Sequence, residues 1–105
     1  MNIERIEHGT LEDGGAIYVY KLTNANGASV TLCNIGAGIV SIVVPDKDGK
    51  MTDVVLGYKD LASYIGDGPC AGKVPGRFSN RICEGKFSID GKEFQLVLNT
   101  GEGKH

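Results

Sequence analysis

Short apolar runs separated by turn residues make up the first half of the chain. Residues 16–22 read AIYVYKL, residues 29–35 read SVTLCNI, residues 39–44 read IVSIVV and residues 52–56 read TDVVL. These runs are rich in β-branched and aromatic residues, whereas glycine, proline, asparagine and aspartate lie between them. The spacing predicts four strands of an all-β sandwich or barrel, with the first two strands paired as a hairpin.

A stronger hairpin signal lies near the end of the chain, in EGKFSIDGKEFQLVL at residues 84–98. Apolar residues alternate with polar ones on both sides of Asp90-Gly91, and they are Phe87, Ile89, Phe94, Leu96 and Leu98. Asp-Gly favours a type I′ turn, because both central residues of that turn need a positive φ. The pattern therefore predicts an antiparallel hairpin here.

The sequence between these two regions has weaker signals. Residues 59–65, KDLASYI, give one short helical hint with Asp60 as a candidate N-cap. Residues 66–76, GDGPCAGKVPG, are loop by composition, and a long loop in a compact domain is usually functional or disordered. The first ten residues, MNIERIEHGT, are charged, and the predicted strands begin only at Ala16.

Charge and composition exclude several classes of protein. The formal net charge is −2 and the pI is about 5.6, which provides no basic face for nucleic acid or anionic lipid. No apolar run approaches the ~20 residues of a membrane helix, and the N-terminus has no signal-peptide core. The 16 glycines are spread among the apolar runs and indicate tight turns. We therefore expect a cytoplasmic protein that binds neither nucleic acid nor membrane.

The cysteines and histidines offer little chemistry by themselves. The 3 cysteines have no metal-ligand spacing, so neither a metal site nor a disulfide is expected. Cys33 and Cys83 are interpreted as small buried hydrophobic residues, and Cys70, in the long loop, is the candidate for reactivity. His8 is interpreted as a solvated side chain.

The segment GRFSNRI, residues 76–82, concentrates two arginines and an asparagine just before the hairpin. One interpretation is structural: Arg77 and Arg81 cover apolar surface with their stems and pair with carboxylates on a neighbouring strand. The other is functional: a guanidinium and the Asn80 amide face a cleft and bind a polyhydroxylated ligand. Composition alone leaves both interpretations open.

This segment and its surroundings resemble the aldose 1-epimerases, the galactose mutarotase family. GRFSNRI followed by EGKFSIDGKEFQLVLNTGEGKH matches the family's G-R-x-x-N-R-I segment and the hairpin after it. NIGAGIVSIVVPDKDGKMTDVVLGYKDLASYI resembles the family's preceding stretch. The resemblance runs from about Ile17 to the end. It implies that residues 1–105 are the N-terminal part of a single antiparallel β-sandwich domain, the mutarotase-like supersandwich.

The resemblance also implies an activity, the interconversion of α and β anomers of free aldohexoses such as galactose or glucose. Asn80 and Arg81 would donate hydrogen bonds to sugar hydroxyls, and Arg77 would support the same segment. A glutamate and a histidine would transfer the protons, without metal or cofactor. Both would lie beyond residue 105, so we expect a truncated chain that is inactive alone. His105 either is the first histidine of the family's cleft, and so a candidate catalytic residue, or lies just before it.

Three alternatives remain at this stage. The chain could resemble an epimerase of a phosphorylated hexose, for which Lys73, Arg77 and Arg81 would supply cations. It could be a non-catalytic carbohydrate-binding or strand-exchanged structural module, or a truncated product without a function of its own. Unpaired strand edges would favour a homo-oligomer in any of these cases.

Overall fold

The computed structural model describes residues 1–66 and 68–102. The described residues form seven strands and two 3₁₀ turns. They divide into two compact units, Met1–Val74 and a second that begins at Pro75. Within the described chain no helix is long and apolar enough to cross a membrane. The prediction of one domain over residues 1–105 stays a prediction.

The first unit is a five-stranded antiparallel sheet in the order β1-β2-β3-β4-β5. Its strands are Asn2–Thr10 (β1), Ala16–Thr23 (β2), Ser29–Cys33 (β3), Gly38–Pro45 (β4) and Met51–Asp53 (β5). The second unit contains a hairpin of Lys86–Ile89 (β6) and Lys92–Gln95 (β7). Every pair is antiparallel, so the predicted all-β antiparallel class is confirmed.

The fourth strand prediction is only partly correct, because β5 ends at Asp53 whereas the apolar run continues to Leu56. The Asp53 side chain explains this end: its Oδ1 accepts hydrogen bonds from the N–H groups of Ile42 (3.0 Å) and Val55 (3.1 Å). The backbone N–H of Ile42 therefore donates to the Asp53 carboxylate, and the Ile42 carbonyl accepts a hydrogen bond from Val54 N (2.9 Å). Side-chain bonds of this kind compete with the strand ladder.

β1 was not predicted from the sequence. It pairs with β2 from Asn2↔Thr23 to Thr10↔Ala16, with an irregularity between Glu7 and Thr10. All nine of its residues are exposed. A strand without a buried face has no reason to alternate apolar and polar residues, so its sequence carries no period-2 signal.

Two turns between strands are built in the same way. Asn24 Oδ1 accepts hydrogen bonds from Asn26 N and Ala28 N, and Asp46 Oδ1 accepts from Asp48 N and Lys50 N. In each turn the backbone N–H of that same Asn or Asp also donates to the carbonyl of the residue four positions later. The Asn and Asp turn signals of the sequence therefore have a direct structural role.

The buried hydrophobic residues of the described chain are Ile17, Val19, Cys33 and Tyr64. Val19 pairs directly with Cys33 across β2 and β3, which places both on one face of the sheet. Tyr64 is fully buried, its ring meets that of Tyr58 edge-on, and its hydroxyl accepts a hydrogen bond from Tyr58 N (3.1 Å).

The long loop after β5 is fastened to the sheet. The helical hint becomes a 3₁₀ turn at Leu61–Tyr64, and the Asp60 carboxylate caps it by accepting from Ser63 N, as predicted. Further on, Ile39 N donates to the Gly72 carbonyl (2.9 Å) and Val74 N donates to the Gly36 carbonyl (3.0 Å). These bonds attach the loop to the start of β4 and to the connection between β3 and β4.

Candidate functional site

The β6–β7 hairpin is the scaffold of the candidate site. Asp90 and Gly91 have φ of 48° and 77°, which agrees with the predicted turn with positive φ at both central residues. Phe87 pairs with Phe94 across the strands, and their rings stack with centroids 5.3 Å apart. Such aromatic cross-strand pairs stabilise a hairpin by about 0.2–1 kcal/mol.

The chain that enters the hairpin is clamped to the chain that leaves it. Leu96 N donates to the Gly85 carbonyl (2.8 Å). The Gln95 amide donates to the carbonyls of Glu84 (3.0 Å) and Leu96 (2.9 Å). Gly85 has a φ of 61°, and a Cβ there would lie 2.9 Å from Leu98 Cδ2. These contacts form a clamp at Gly85 that holds residues 84 and 85 beside residues 95–98.

The segment GRFSNRI is irregular rather than extended as a strand. Arg77, Asn80 and Arg81 are all exposed. Within residues 1–66 and 68–102 neither arginine forms an ion pair, so the structural interpretation that paired them with carboxylates on a neighbouring strand is not seen. Asn80 has a φ of 86°, and its Oδ1 accepts a hydrogen bond from Arg81 N (2.8 Å). That bond leaves the amide nitrogen available to a ligand.

Asn80 and Arg81 line an open concavity of about 350 Å³ on the second unit. The other lining residues are Ile82, Gly85, Leu96, Val97, Asn99 and Thr100. The volume lies in the range of small-molecule sites, about 300–1,000 Å³. Amide, guanidinium and hydroxyl groups are present together with apolar side chains, and this mixture suits a ligand that has several hydroxyls and an apolar face.

Sequence reasoning identified only part of this lining. Leu96 was expected only as an alternating strand residue, and Val97, Asn99 and Thr100 were not singled out. The clamp at Gly85 places these four residues on the same concavity as Arg81. No local pattern in the sequence reveals that they share it.

The other predicted site residues lie elsewhere. Arg77 does not line the concavity, and Lys73 belongs to the first unit, where its stem lies against Gly36. His105 lies outside the described residues. In the part of the chain that is described, no cluster of three or more His, Cys, Asp or Glu residues is placed to share a metal ion.

The cysteines are all free thiols. Cys33 is 2% exposed, which confirms its interpretation as a small buried residue, and Cys70 is exposed. The same interpretation is wrong for Cys83, which is exposed. Its position explains the error: Cys83 is the first residue of a 3₁₀ turn that precedes β6, so it does not occupy an inward-facing position of a strand. His8 is exposed, as predicted, but on β1.

A second concavity, of about 330 Å³, lies on the sheet of the first unit. Leu22, Val30, Ile42 and Val44 contribute much of its surface. The Asn24 side chain at its border is already engaged in a turn. Its apolar character makes it a poor match for a polyhydroxylated ligand.

Comparison with known proteins identifies the family of this chain. The model of the family described as aldose 1-epimerase matches residues 18–105. Galactose mutarotase from Rattus norvegicus is 35% identical over 99 residues, which are 94% of this chain and 29% of the relative. Galactose mutarotase from Homo sapiens is 35% identical over 98 residues, 93% of this chain and 29% of the relative. The chain thus spans less than a third of these relatives' length.

A solved structure agrees with the sequence comparisons. The crystal structure of a GalM/aldose epimerase homologue from C. elegans superposes with a TM-score of 0.64 and 30% identity. The superposition covers 81% of this chain and 26% of that one. The fold is therefore the antiparallel β fold of part of that structure, and this chain belongs to the aldose 1-epimerase family.

Proposed function

We propose that the chain supplies part of the sugar-binding cleft of an aldose 1-epimerase, and that the ligand is a free aldohexose. The observation that carries this proposal is the position of Asn80 and Arg81: both are exposed on one concavity of the second unit, and Arg81 is in no ion pair within the described chain. Family membership supports it, because these two residues stand in the GRFSNRI segment that carries the resemblance.

The chemistry of the two side chains suits sugar hydroxyls. The guanidinium offers five N–H donors in a fixed plane, and the Asn80 amide nitrogen offers two more. Hydroxyls accept such bonds through their lone pairs. A pyranose also has C–H faces that pack on apolar side chains, and Ile82, Leu96 and Val97 line the same concavity.

The proposed reaction is the interconversion of the α and β anomers. One group removes the proton of the anomeric hydroxyl and a second protonates the ring oxygen, so the bond between C1 and the ring oxygen breaks. After rotation about the C1–C2 bond, the reverse proton transfers close the ring as the other anomer. None of the described residues that line the concavity carries a carboxylate or an imidazole. In this proposal Asn80 and Arg81 bind and orient the sugar, and the proton-transferring groups come from elsewhere.

Replacing Arg81 by alanine tests the binding role. A hydrogen bond from a charged group contributes about 1.5–3 kcal/mol, so we expect D-galactose to bind about tenfold or more weakly to Arg81→Ala. Saturation-transfer difference NMR on D-galactose measures this directly.

Arg77→Ala is the matched control, because it removes the same charge from the same segment but outside the concavity. We expect its effect to stay within about twofold, as for surface substitutions that remove no contact. Equal losses in the two variants, or no transfer to galactose with the unmodified chain, would contradict the proposal.

A non-catalytic carbohydrate-binding module is the second candidate, and the lack of an acid–base group among the described lining residues favours it for this part of the fold. Polarimetry tests for catalysis: mutarotation faster than in buffer would exclude a non-catalytic module, whereas the buffer rate is expected of this chain alone under both candidates. Comparing D-galactose with a hexose phosphate separates both from the phosphorylated-sugar alternative.

A further inference from the structure

β1 presents an unusually long free edge. It is the terminal strand of the five-stranded sheet, and in the described chain no strand pairs with its outer side. The opposite edge, β5, has only three residues, Met51–Asp53. Natural sheets protect their edges by keeping them short or bulged, because a long edge offers unpaired N–H and C=O groups to another strand. β1 has nine residues, and its irregularity lies beyond Glu7.

Symmetry restricts how β1 can pair with β1 of a second copy. In an antiparallel pair related by a two-fold axis, side chains that face each other must lie on the same face of the sheet, so the axis passes through a residue. An axis through Glu4, Arg5 or Glu7 places that residue opposite its own copy. Like charges directly opposite are destabilising.

An axis through Ile6 produces the complementary register. Each Arg5 then lies opposite a Glu7 of the other copy, and both residues belong to the regular part of β1 that ends at Glu7. Within residues 1–66 and 68–102, Glu7 has no ion-pair partner. The guanidinium carbon of Arg5 lies 5.0 Å from the centroid of the Tyr18 ring on β2. Arg5 has no ion-pair partner in the described chain either.

The same register extends the buried cluster. Ile6 is 45% exposed, and it pairs with Val19, which in turn pairs with the buried Cys33. Ile6 therefore lies at the border of the core on that face. A second Ile6 across the two-fold axis would cover it and continue the row of apolar residues from one sheet into the next.

We propose that the chain forms a homodimer through antiparallel pairing of β1 with β1, centred on Ile6, to give a continuous ten-stranded sheet. The partner is a second copy of this chain. Charge complementarity selects the register, and burial of Ile6 adds apolar contact at the axis. The proposal is independent of sugar binding, because it uses only the first unit.

Charge reversal tests the register. We expect the dimer of Arg5→Glu, and separately that of Glu7→Arg, to dissociate about tenfold or more readily than the unmodified dimer, because two facing pairs become repulsive in each. An equimolar mixture of the two variants restores both attractive pairs, and so does the double variant. Sedimentation velocity of the 105-residue chain at several concentrations measures these dissociation constants.

Glu12→Arg is the matched control, since it makes the same charge change at an exposed position outside β1. Mixed with Arg5→Glu, it should restore nothing, whereas general charge attraction would restore association here too. A monomeric unmodified chain would overturn the proposal, and so would a dimer that is insensitive to both charge reversals. It would also be overturned if Arg5→Glu associated with Glu7→Arg no more tightly than with Glu12→Arg. A dimer that stacks through the apolar face of the sheet would be recognised by that insensitivity.

Discussion

Replacing Tyr64 by alanine is expected to destabilise the first unit by about 3–5 kcal/mol, the range for removing a large aromatic side chain from a core. Tyr64 is 0% exposed, and it is the largest fully buried side chain among the described residues. The substitution removes its ring from the Tyr58 ring, 5.0 Å away, and removes the acceptor of the bond from Tyr58 N. A small unit has a modest stability margin, so this loss should unfold much of the population.

Urea unfolding followed by circular dichroism measures this effect. Tyr64→Phe is the control, because it keeps the ring and removes only the hydroxyl, and we expect it to cost about 1–3 kcal/mol through the lost acceptor. If alanine proved no more destabilising than phenylalanine, the packing of the ring would not contribute as described.

Replacing Gly72 by alanine is expected to destabilise the same unit by about 2–4 kcal/mol, because it combines two separate costs. Gly72 has a φ of +66°, in the left-handed region that favours glycine, and a Cβ there would collide with the carbonyl oxygen of Ile39. The Gly72 carbonyl also accepts the hydrogen bond of Ile39 N. Moving the loop to relieve the collision would break this bond.

Gly66→Ala separates the two costs. Gly66 has nearly the same φ, +67°, but a Cβ there meets nothing within 4 Å. We expect it to cost about 1 kcal/mol, the conformational part alone. Thermal and urea unfolding of both variants measures the difference, and equal losses would show that the loop does not pack on β4 as closely as described.

The sequence predicts this fold best where local chemistry and burial agree. β2 alternates buried and half-buried residues from Ala16 to Tyr20 because one face covers the core, and Asp90-Gly91 favours a tight hairpin turn. β1 escaped prediction because pairing with β2 fixes it, while all of its residues are exposed. β5 was overextended because the acceptor role of the Asp53 carboxylate depends on Ile42, eleven residues earlier.

Of the residues that line the candidate site, the sequence indicated Asn80 and Arg81 as binding residues and did not indicate the others. Asn80 and Arg81 stand in a motif whose resemblance to a family can be recognised in the sequence alone. Asn99 and Thr100 share the concavity because the Gly85 clamp brings the two ends of the hairpin together. The clamp joins residues eleven positions apart, such as Gly85 and Leu96, and no periodicity encodes it.

The central claim is that a hexose binds in the concavity of the second unit. Two-dimensional ¹H–¹⁵N NMR of the unmodified chain during a D-galactose titration tests it most directly. The account predicts that the Asn80 side-chain amide and the backbone amides of Arg81, Gly85 and Thr100 shift together along one binding curve. Shifts confined to the apolar concavity around Leu22 and Val30, or none in residues 80–100, would contradict it.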